Sequence, residues 1–258
     1  MAEEIINIKE LDLNIIYPNL EEILNPSYGS FKMTLIGRSG SGKSRIIKSI
    51  LRHKSQLLGS GIVISSTENE NKFYSSILPD LYIHDDYSEK IVENFIERQK
   101  LAVTQEHLKD NPWSLLILDD VIDDPSLLRT NLYKQIYKFG RHWKFLFILS
   151  LQYCLDISPT IRTNTEGIFI MRDPIRINRK KIWENYASII PTFELFCTIM
   201  DQITDDYTAL YIHNKSTSND YKECIYWYKA EHSDEPITFG SPIYRMSHTI
   251  RYDENFKK

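Results

Sequence analysis

Residues 31–44 of the chain read FKMTLIGRSGSGKS. The first six of these residues form a short apolar run that is typical of a buried strand, and the last eight match the pattern GxxxxGK[ST]. After Lys43, apolar residues recur at helical spacing to about Leu58. A strand that enters a glycine-rich loop and a helix that leaves it form the context in which this pattern binds nucleotide phosphates. The sequence therefore predicts a P-loop.

The positions of this loop have separate physical roles. Glycines at 37, 40 and 42 allow tight backbone turns and close approach of a phosphate. The backbone N–H groups at the start of the following helix attract anions. Lys43 places its ammonium group on the β- and γ-phosphates, and the Ser44 hydroxyl coordinates Mg²⁺. The residues predicted to bind the nucleotide are Gly37, Ser39, Gly40, Ser41, Gly42, Lys43, Ser44 and Arg45.

Two acids end the apolar run LLILDD, residues 115–120. A continuous apolar run of this kind is typical of a strand covered on both faces. In P-loop proteins, the first carboxylate after such a strand holds Mg²⁺, which assigns Asp119 to the metal. Asp120 is then positioned to activate the attacking water as a general base. The alternative is a pair of turn acids, since Asp123 and Asp124 follow closely.

Strands alternate with helices along the chain, which favours an α/β fold with a mostly parallel central sheet flanked by helices. Further strands are predicted at 61–66, 81–85, 115–118, 145–151 and 167–171, and further helices at 88–107, 125–139, 174–188 and 191–203. Ser88 is predicted to cap the first of these helices. Two later runs, 208–212 and 224–228, suggest a hairpin. We divide the chain into an N-terminal extension (1–30), a P-loop ATPase domain (31–229) and a polar, peripheral C-terminal arm (230–258).

Composition limits the classes of protein that remain. The chain has 258 residues and a net charge of −4, so a basic working surface has to be local. Its three cysteines are widely spaced and fit reduced, packed thiols better than disulfides or a zinc site. The acidic N-terminus is unlike a signal peptide, and we expect no membrane-spanning segment.

Three more polar residues are candidates for catalysis. Gln152 follows the apolar run FLFILSL, so we expect it at the same sheet edge as Asp119, where it can orient water or sense the γ-phosphate. Arg141 precedes that run and can act as an arginine finger on a neighbouring subunit's nucleotide. Arg162 is a second candidate for the finger. The alternatives are a polar strand end for Gln152 and a surface or helix-capping arginine for Arg141.

Four segments together carry a family resemblance: FKMTLIGRSGSGKS (31–44), LLILDDV (115–121), KFGRHWKFLFILSLQY (138–153) and SPTIRTNTEGIFI (158–170). They resemble the poxvirus-type genome-packaging ATPases of large DNA viruses and virophages, within the FtsK–HerA superfamily. The FGRH segment followed by a strand and Gln-Tyr is the most specific of these features. The resemblance spans about Phe31 to Met171.

This resemblance implies a RecA-like (ASCE) P-loop NTPase core that uses ATP and Mg²⁺. It implies a homo-oligomeric ring, hexameric or pentameric, that moves double-stranded DNA into a capsid and contacts capsid or portal-vertex proteins. The expected location is the host cytoplasm, at the viral factory, or the virion. Roles are implied for Lys43, Ser44, Asp119, Asp120, Arg141 and Gln152. Many relatives outside the viral branch have Glu where this chain has Asp120, whose side chain is shorter.

The densest positive segment is RDPIRINRKK, residues 172–181. We hypothesise that Arg172, Arg176, Arg179, Lys180 and Lys181 contact DNA phosphates without reading sequence. The alternative is a solvated helix face or a subunit interface. The tyrosines and tryptophan at 221–228 can stack on bases or a partner, although core packing is the simpler interpretation.

Other functions share the P-loop. A nucleotide kinase usually carries an arginine-rich lid and lacks a strand-end acid pair followed by a strand-end glutamine, which argues against that class. A helicase or recombinase-like ATPase shares the core and stays open. A nucleotide-gated assembly protein also stays open, although the acid pair favours hydrolysis.

Overall fold

The structure is a computed structural model that describes residues 7–21, 29–105, 111–122, 126–154 and 158–253. Within this part of the chain, nine strands form one sheet in the order β1-β9-β8-β7-β2-β6-β5-β3-β4. The strands are β1 (Lys9–Glu10), β2 (Ser30–Ile36), β3 (Ser60–Ser65), β4 (Ile83–His84), β5 (Ser114–Asp119), β6 (Phe145–Leu151), β7 (Gly167–Ile170), β8 (Ala209–His213) and β9 (Ile225–Tyr228). The α/β fold with a mostly parallel sheet is confirmed.

Helices cover both faces of this sheet. They are α1 (Lys43–Lys54), α2 (Glu68–Asn71), α3 (Glu89–Ala102), α4 (Asn131–Phe139), α5 (Pro159–Asn164), α6 (Arg176–Tyr186), α7 (Phe193–Ile203), α8 (Tyr221–Cys224) and α9 (Pro242–Arg251). Helices α3 to α7 contribute to one apolar cluster, while α1, α9 and the N-terminal segment contribute to the other. Every residue of β2, β5 and β6 is buried, which explains why two of these strands are continuous apolar runs. No helix of the described residues is both long and apolar enough to cross a membrane.

Strand β8 reverses the direction of the sheet. It pairs antiparallel with both β7 and β9, whereas β2, β3, β5, β6 and β7 pair in parallel. Leu210, near the start of β8, therefore lies opposite Ile170 at the end of β7. The loop that precedes β8 is thus brought to the carboxyl edge of the parallel strands, where the P-loop also lies.

Several predicted boundaries were wrong. The strand predicted at 81–85 is only Ile83–His84 and follows a 3-10 turn. The first helix ends at Lys54 rather than near 58, and α3 ends at Ala102 rather than near 107; residues 106–110 lie outside the described residues. Ser88 has the extended backbone of an N-cap, but its side chain makes no capping hydrogen bond.

The helix predicted at 125–139 also differs. It consists of a 3-10 turn, Leu127–Arg129, followed by α4 from Asn131. Pro125, which was predicted to begin it, lies outside the described residues. The predicted hairpin is confirmed as the antiparallel pair β8–β9, although the short helix α8 lies between its strands.

The two ends of the chain pack more closely than their composition predicts. Strand β1 extends the sheet by pairing in parallel with β9. At the other end, Ser241 caps α9 by accepting a hydrogen bond from the backbone N–H of Tyr244, and Pro242 begins the helix. The Tyr244 ring stacks on Tyr82 at 4.0 Å, and its hydroxyl donates to the Gly61 carbonyl at 2.8 Å. The helix α9 therefore packs against the sheet, while the proposed C-terminal arm and the other domain boundaries stay predictions.

Replacing Tyr244 should reveal this packing as lost stability. Tyr244 is 7% exposed, so Tyr244→Ala should lower the free energy of unfolding by about 3 kcal/mol or more through a cavity and a lost hydrogen bond. The matched control is Ile243→Ala, because Ile243 is 73% exposed on the same helix and should change stability by less than about 0.5 kcal/mol. Urea denaturation of both variants measures the difference; equal values would show that α9 does not support the sheet.

Candidate nucleotide site

The glycine-rich loop joins the end of β2 to the start of α1. Gly40 and Gly42 have φ angles of 74° and 102°, in the left-handed region that side chains disfavour. Gly37 is required for a different reason, because a Cβ atom there would lie 2.4 Å from Cγ of Met171. Backbone geometry and packing thus explain why glycine occupies these positions.

Lys43 connects the loop with the acid pair. Its side chain is 6% exposed, its ammonium donates to the Gly37 carbonyl at 2.6 Å, and it lies 3.4 Å from Oδ2 of Asp120. A buried ammonium group needs partners of this kind to offset the loss of water. The ammonium therefore lies between the phosphate loop and the end of β5, where the β- and γ-phosphates of a nucleotide are expected.

Asp119 is fixed by a residue that the sequence did not single out. The Tyr74 hydroxyl donates to Oδ2 of Asp119 at 2.9 Å. Burial, followed by the nearby Asp119 carboxylate, holds the pKa of Tyr74 well above its usual value, so the phenol stays a donor. Glu68 anchors this segment by accepting from the backbone N–H groups of Tyr74 and Ser75. One carboxylate oxygen of Asp119 is thereby oriented at the end of β5.

Asp120 directly follows the last residue of β5. Its φ angle of 53° turns the backbone out of β5. The side-chain amide of Gln152 donates to its Oδ2 at 3.2 Å, so the two strand ends meet as the sequence predicts. Burial is the main cause that raises the pKa of Asp120 above its usual value, while Lys43 opposes this rise and Asp119 adds to it. A carboxyl group with a raised pKa is better matched to accepting a proton from water.

The polar atoms of the site fit a magnesium nucleotide. Oδ1 of Asp120 and the hydroxyl of Ser41 are buried and have no hydrogen-bond partner among the described residues. Ser44 lies in the first turn of α1, beside Lys43. In the described part of the chain, no cluster of three or more His, Cys, Asp and Glu could hold a metal ion. A Mg²⁺ ion here would therefore need phosphate oxygens and water to complete its shell.

Arg141 lies at the amino-terminal ends of the parallel strands, opposite to the P-loop. It precedes β6, whose first residue, Phe145, pairs with Ser30 at the start of β2, whereas the P-loop follows the end of β2. The length of β6, about 20 Å for seven residues, separates Arg141 from the loop. Arg141 therefore cannot reach the nucleotide site of its own subunit.

The pocket around Arg141 is rich in positive charge. It has a volume of about 500 Å³, and its lining includes Lys32, Lys138, His142 and Lys215. Lys32 is buried and lies 3.2 Å from the Glu166 carboxylate, and burial lowers its pKa. Such a pocket favours an anionic occupant.

Arg162 lies on α5, where its guanidinium donates to Oδ1 of Asn185 at 3.0 Å. Asn185 belongs to α6, so this contact ties two helices of one face together. The bond gives Arg162 a structural partner within the subunit.

The basic segment 172–181 does not form one continuous surface. Arg172 borders the P-loop in a pocket of about 260 Å³ and donates to the Thr204 carbonyl at 3.3 Å. Arg179 is 8% exposed and bound to Asp201 at 2.6 Å, which leaves it unsuited to contact DNA. Arg176, Lys180 and Lys181 are exposed on α6.

Comparison with known proteins agrees with this architecture. The solved structure of the genome packaging NTPase B204 from Sulfolobus turreted icosahedral virus 2 in complex with sulfate aligns with a TM-score of 0.55 at 19% identity, covering 80% of this chain and 98% of that one. The pCW3 conjugation coupling protein TcpA, solved as a monomer with ATPgS, aligns with a TM-score of 0.53 at 12% identity, covering 78% and 60%. These likenesses show that the chain shares the α/β fold of both proteins.

Sequence relatives come from several viruses. Uncharacterized protein 088R of Invertebrate iridescent virus 3 is 46% identical, with 94% of this chain and 93% of that protein covered. Uncharacterized protein 015R of Frog virus 3 is 32% identical, with 93% and 74% covered. A family model described as Poxvirus A32 protein matches residues 23–173. The resemblance inferred from the sequence is confirmed: the chain belongs to the Poxvirus A32 protein family.

Proposed function

We propose that this chain hydrolyses ATP to move double-stranded DNA into a preformed viral capsid. The observation that carries the proposal is the connected set Lys43, Asp120 and Gln152, which joins the phosphate loop to two strand ends. Membership of the Poxvirus A32 protein family and the fold shared with a genome packaging NTPase support the same function.

Each residue of the site has a proposed part in hydrolysis. Lys43 binds the β- and γ-phosphates, and the backbone of residues 37–44 surrounds them. Ser44 and Asp119 would hold Mg²⁺, which when bound neutralises charge on the phosphates. Asp120 accepts the proton of the attacking water, and Gln152 orients both that water and the carboxylate.

Completion of the site requires a second copy of the chain. Arg141 lies at the edge of the sheet that is opposite to its own P-loop, so it can act only on the nucleotide of another subunit. The surrounding positive pocket suits a phosphate chain. A head-to-tail contact of this kind closes into a ring, which we propose to be a hexamer or pentamer. Arg162 is the weaker candidate for the finger because it is already bonded to Asn185.

Exposed cations on α6 are the proposed DNA contact. Arg176, Lys180 and Lys181 are exposed on α6; Arg176 lies 3.7 Å from the Glu194 carboxylate and Lys180 lies 4.0 Å from that of Glu184. Surface ion pairs of this kind are weak, so these side chains can exchange them for phosphates at little cost. Capsid or portal-vertex proteins are further proposed partners, at the viral factory or in the virion.

Nucleotide hydrolysis measured with duplex DNA, single-stranded DNA and no DNA tests the function. We expect duplex DNA to raise the rate severalfold and single-stranded DNA to raise it less, because a packaging motor grips a duplex. Preferential stimulation by single strands would favour a helicase or recombinase-like enzyme. Hydrolysis that ignores DNA would favour a nucleotide-gated assembly protein.

Charge reversal on α6 separates the DNA contact from the catalytic site. The double variant Lys180→Glu/Lys181→Glu should lose the stimulation by duplex DNA and keep the rate measured without DNA. The matched control is Lys90→Glu/Lys100→Glu on α3, which reverses two cations that, like Lys180, pair with an acid of their own helix. Equal stimulation in the α6 variant and the unaltered chain would exclude α6 as the DNA contact.

Mixed variants test whether Arg141 acts between subunits. Arg141→Ala and Lys43→Ala should each reduce hydrolysis by about 10³-fold or more. In an equal mixture, about a quarter of the interfaces in a ring combine an intact P-loop with an intact Arg141, so the rate should rise well above that of either variant. Mixtures that never exceed the separate variants would show that Arg141 does not act in trans.

The pH dependence of hydrolysis tests the role of Asp120. The hydrogen bond from Gln152 favours the ionised carboxylate and lowers its pKa. Gln152→Leu removes that bond, so the acid limb of the pH–rate profile should move to higher pH. Ser66→Ala is the control, because the Ser66 hydroxyl donates to the backbone carbonyl of Asp120 and not to its carboxylate. If the acid limb of the pH–rate profile stays at the same pH in Gln152→Leu, a group other than Asp120 is responsible for it.

A further inference from the structure

A pocket continues from the P-loop on the side away from the acid pair. It has a volume of about 260 Å³, and its lining includes Gly40 and Ser41 of the loop together with Arg172 and Tyr207. Tyr207 belongs to the loop between α7 and β8, which the antiparallel direction of β8 brings to this edge. Arg172 and Tyr207 have no part in the proposed hydrolysis.

The order of strands gives the bound nucleotide a direction. The P-loop follows β2, the acid pair follows β5 beyond β6, and Tyr207 precedes β8 beyond β7. The acid pair and Tyr207 therefore lie on opposite sides of the loop. Because the γ-phosphate has to meet Asp119 and Asp120, the nucleoside end has to leave the loop toward β8 and Tyr207.

The Tyr207 side chain has the exposure and the support of a stacking surface. It is 53% exposed, and the Arg45 guanidinium lies over its ring at 5.3 Å from the centroid. A Cβ atom on Gly42 would lie 3.3 Å from Cδ1 of Tyr207, so the ring lies directly beside the loop. Half-exposed aromatic rings beside phosphate-binding groups stack readily on nucleobases.

The loop that carries Tyr207 is held in an unfavourable conformation. Asp206 and Tyr207 have φ angles of 46° and 61°, in the left-handed region that favours glycine. Lys229 pairs with Asp206, and Arg172 lies 3.6 Å from Asp205 and donates to the carbonyl of Thr204. These contacts keep the ring at the pocket despite the strain.

We propose that Tyr207 is the platform on which the base of the bound nucleotide stacks, with Arg45 supporting the ring. The ligand class of the whole site is then a nucleoside triphosphate rather than any triphosphate. The proposal rests on the proposed nucleotide binding and extends it to the base. Arg172, which the sequence assigns to DNA, instead positions the loop of Tyr207.

Calorimetric titration with two probes tests this role. In the presence of Mg²⁺, ATP and inorganic tripolyphosphate are titrated into the unaltered chain and into Tyr207→Asn, because asparagine tolerates the left-handed backbone but lacks the ring. We expect the variant to bind ATP about tenfold more weakly and tripolyphosphate with unchanged affinity. Tyr207→Phe should bind both probes like the unaltered chain.

The matched control is Phe139→Ala, which removes an exposed aromatic ring at the end of α4 and should leave both affinities unchanged. Equal weakening of both probes in Tyr207→Asn would mean that Tyr207 only supports the P-loop, and unchanged ATP binding would mean that the base lies elsewhere; either result overturns the proposal. ATP binding that depends on Tyr207, in a chain whose hydrolysis ignores DNA, would support the base platform while refuting the packaging function. Absence of ATP binding by the unaltered chain would refute both.

Discussion

The contact of the Lys43 ammonium with the Gly37 carbonyl and the Asp120 carboxylate is the interaction on which the site depends. It joins two loops that follow different strands, and the Lys43 side chain that joins them is buried. An ammonium group in that position cannot be stabilised by water, so its partners have to be protein atoms or phosphate oxygens. Because the Lys43 ammonium is both buried and positively charged, the loop can bind a polyphosphate. A bound nucleotide therefore changes the net charge of the site. This change takes place beside Asp120, whose pKa is raised by burial.

The sheet determines where the other residues of the site lie relative to Lys43. Its parallel strands place the P-loop, the acid pair and Gln152 at one edge, and Arg141 at the other. Strand β2 is hydrogen-bonded to β6 along its full length and to β7 along its second half. Such a strand holds its two ends at a fixed separation, so a single subunit cannot bring its own Arg141 to its own nucleotide. Under the proposed function, this fixed separation is the reason why a neighbouring subunit has to supply the arginine.

The sequence was sufficient for features that depend on neighbours in the chain. The P-loop, the apolar strand before Asp119 and the strand-end position of Gln152 are local patterns, and the structure brings their side chains together. Tyr74 and Tyr207 escaped notice because they reach the site through long-range packing and through the reversed strand β8. Their nearest sequence signals, an acidic helix before Tyr74 and the run Asp205-Asp206 before Tyr207, are common in loops. The helix α9 was missed because a polar, proline-containing segment reads as an arm until the partner of its buried tyrosine is known.

The reversed strand also separates two tasks at one sheet edge. On the β5 side of the P-loop lie the groups suited to proton transfer, and on the β8 side lies an aromatic ring next to Arg45. Because a nucleotide is a linear molecule with its phosphates at one end, it can engage both sides only in one orientation. Residues on the β8 side then affect how tightly the ligand is held, while those on the β5 side affect how fast it reacts. Under the proposed function, Arg141 of another subunit approaches only the reacting end of the nucleotide, so a neighbouring subunit would change the rate of hydrolysis more than the affinity.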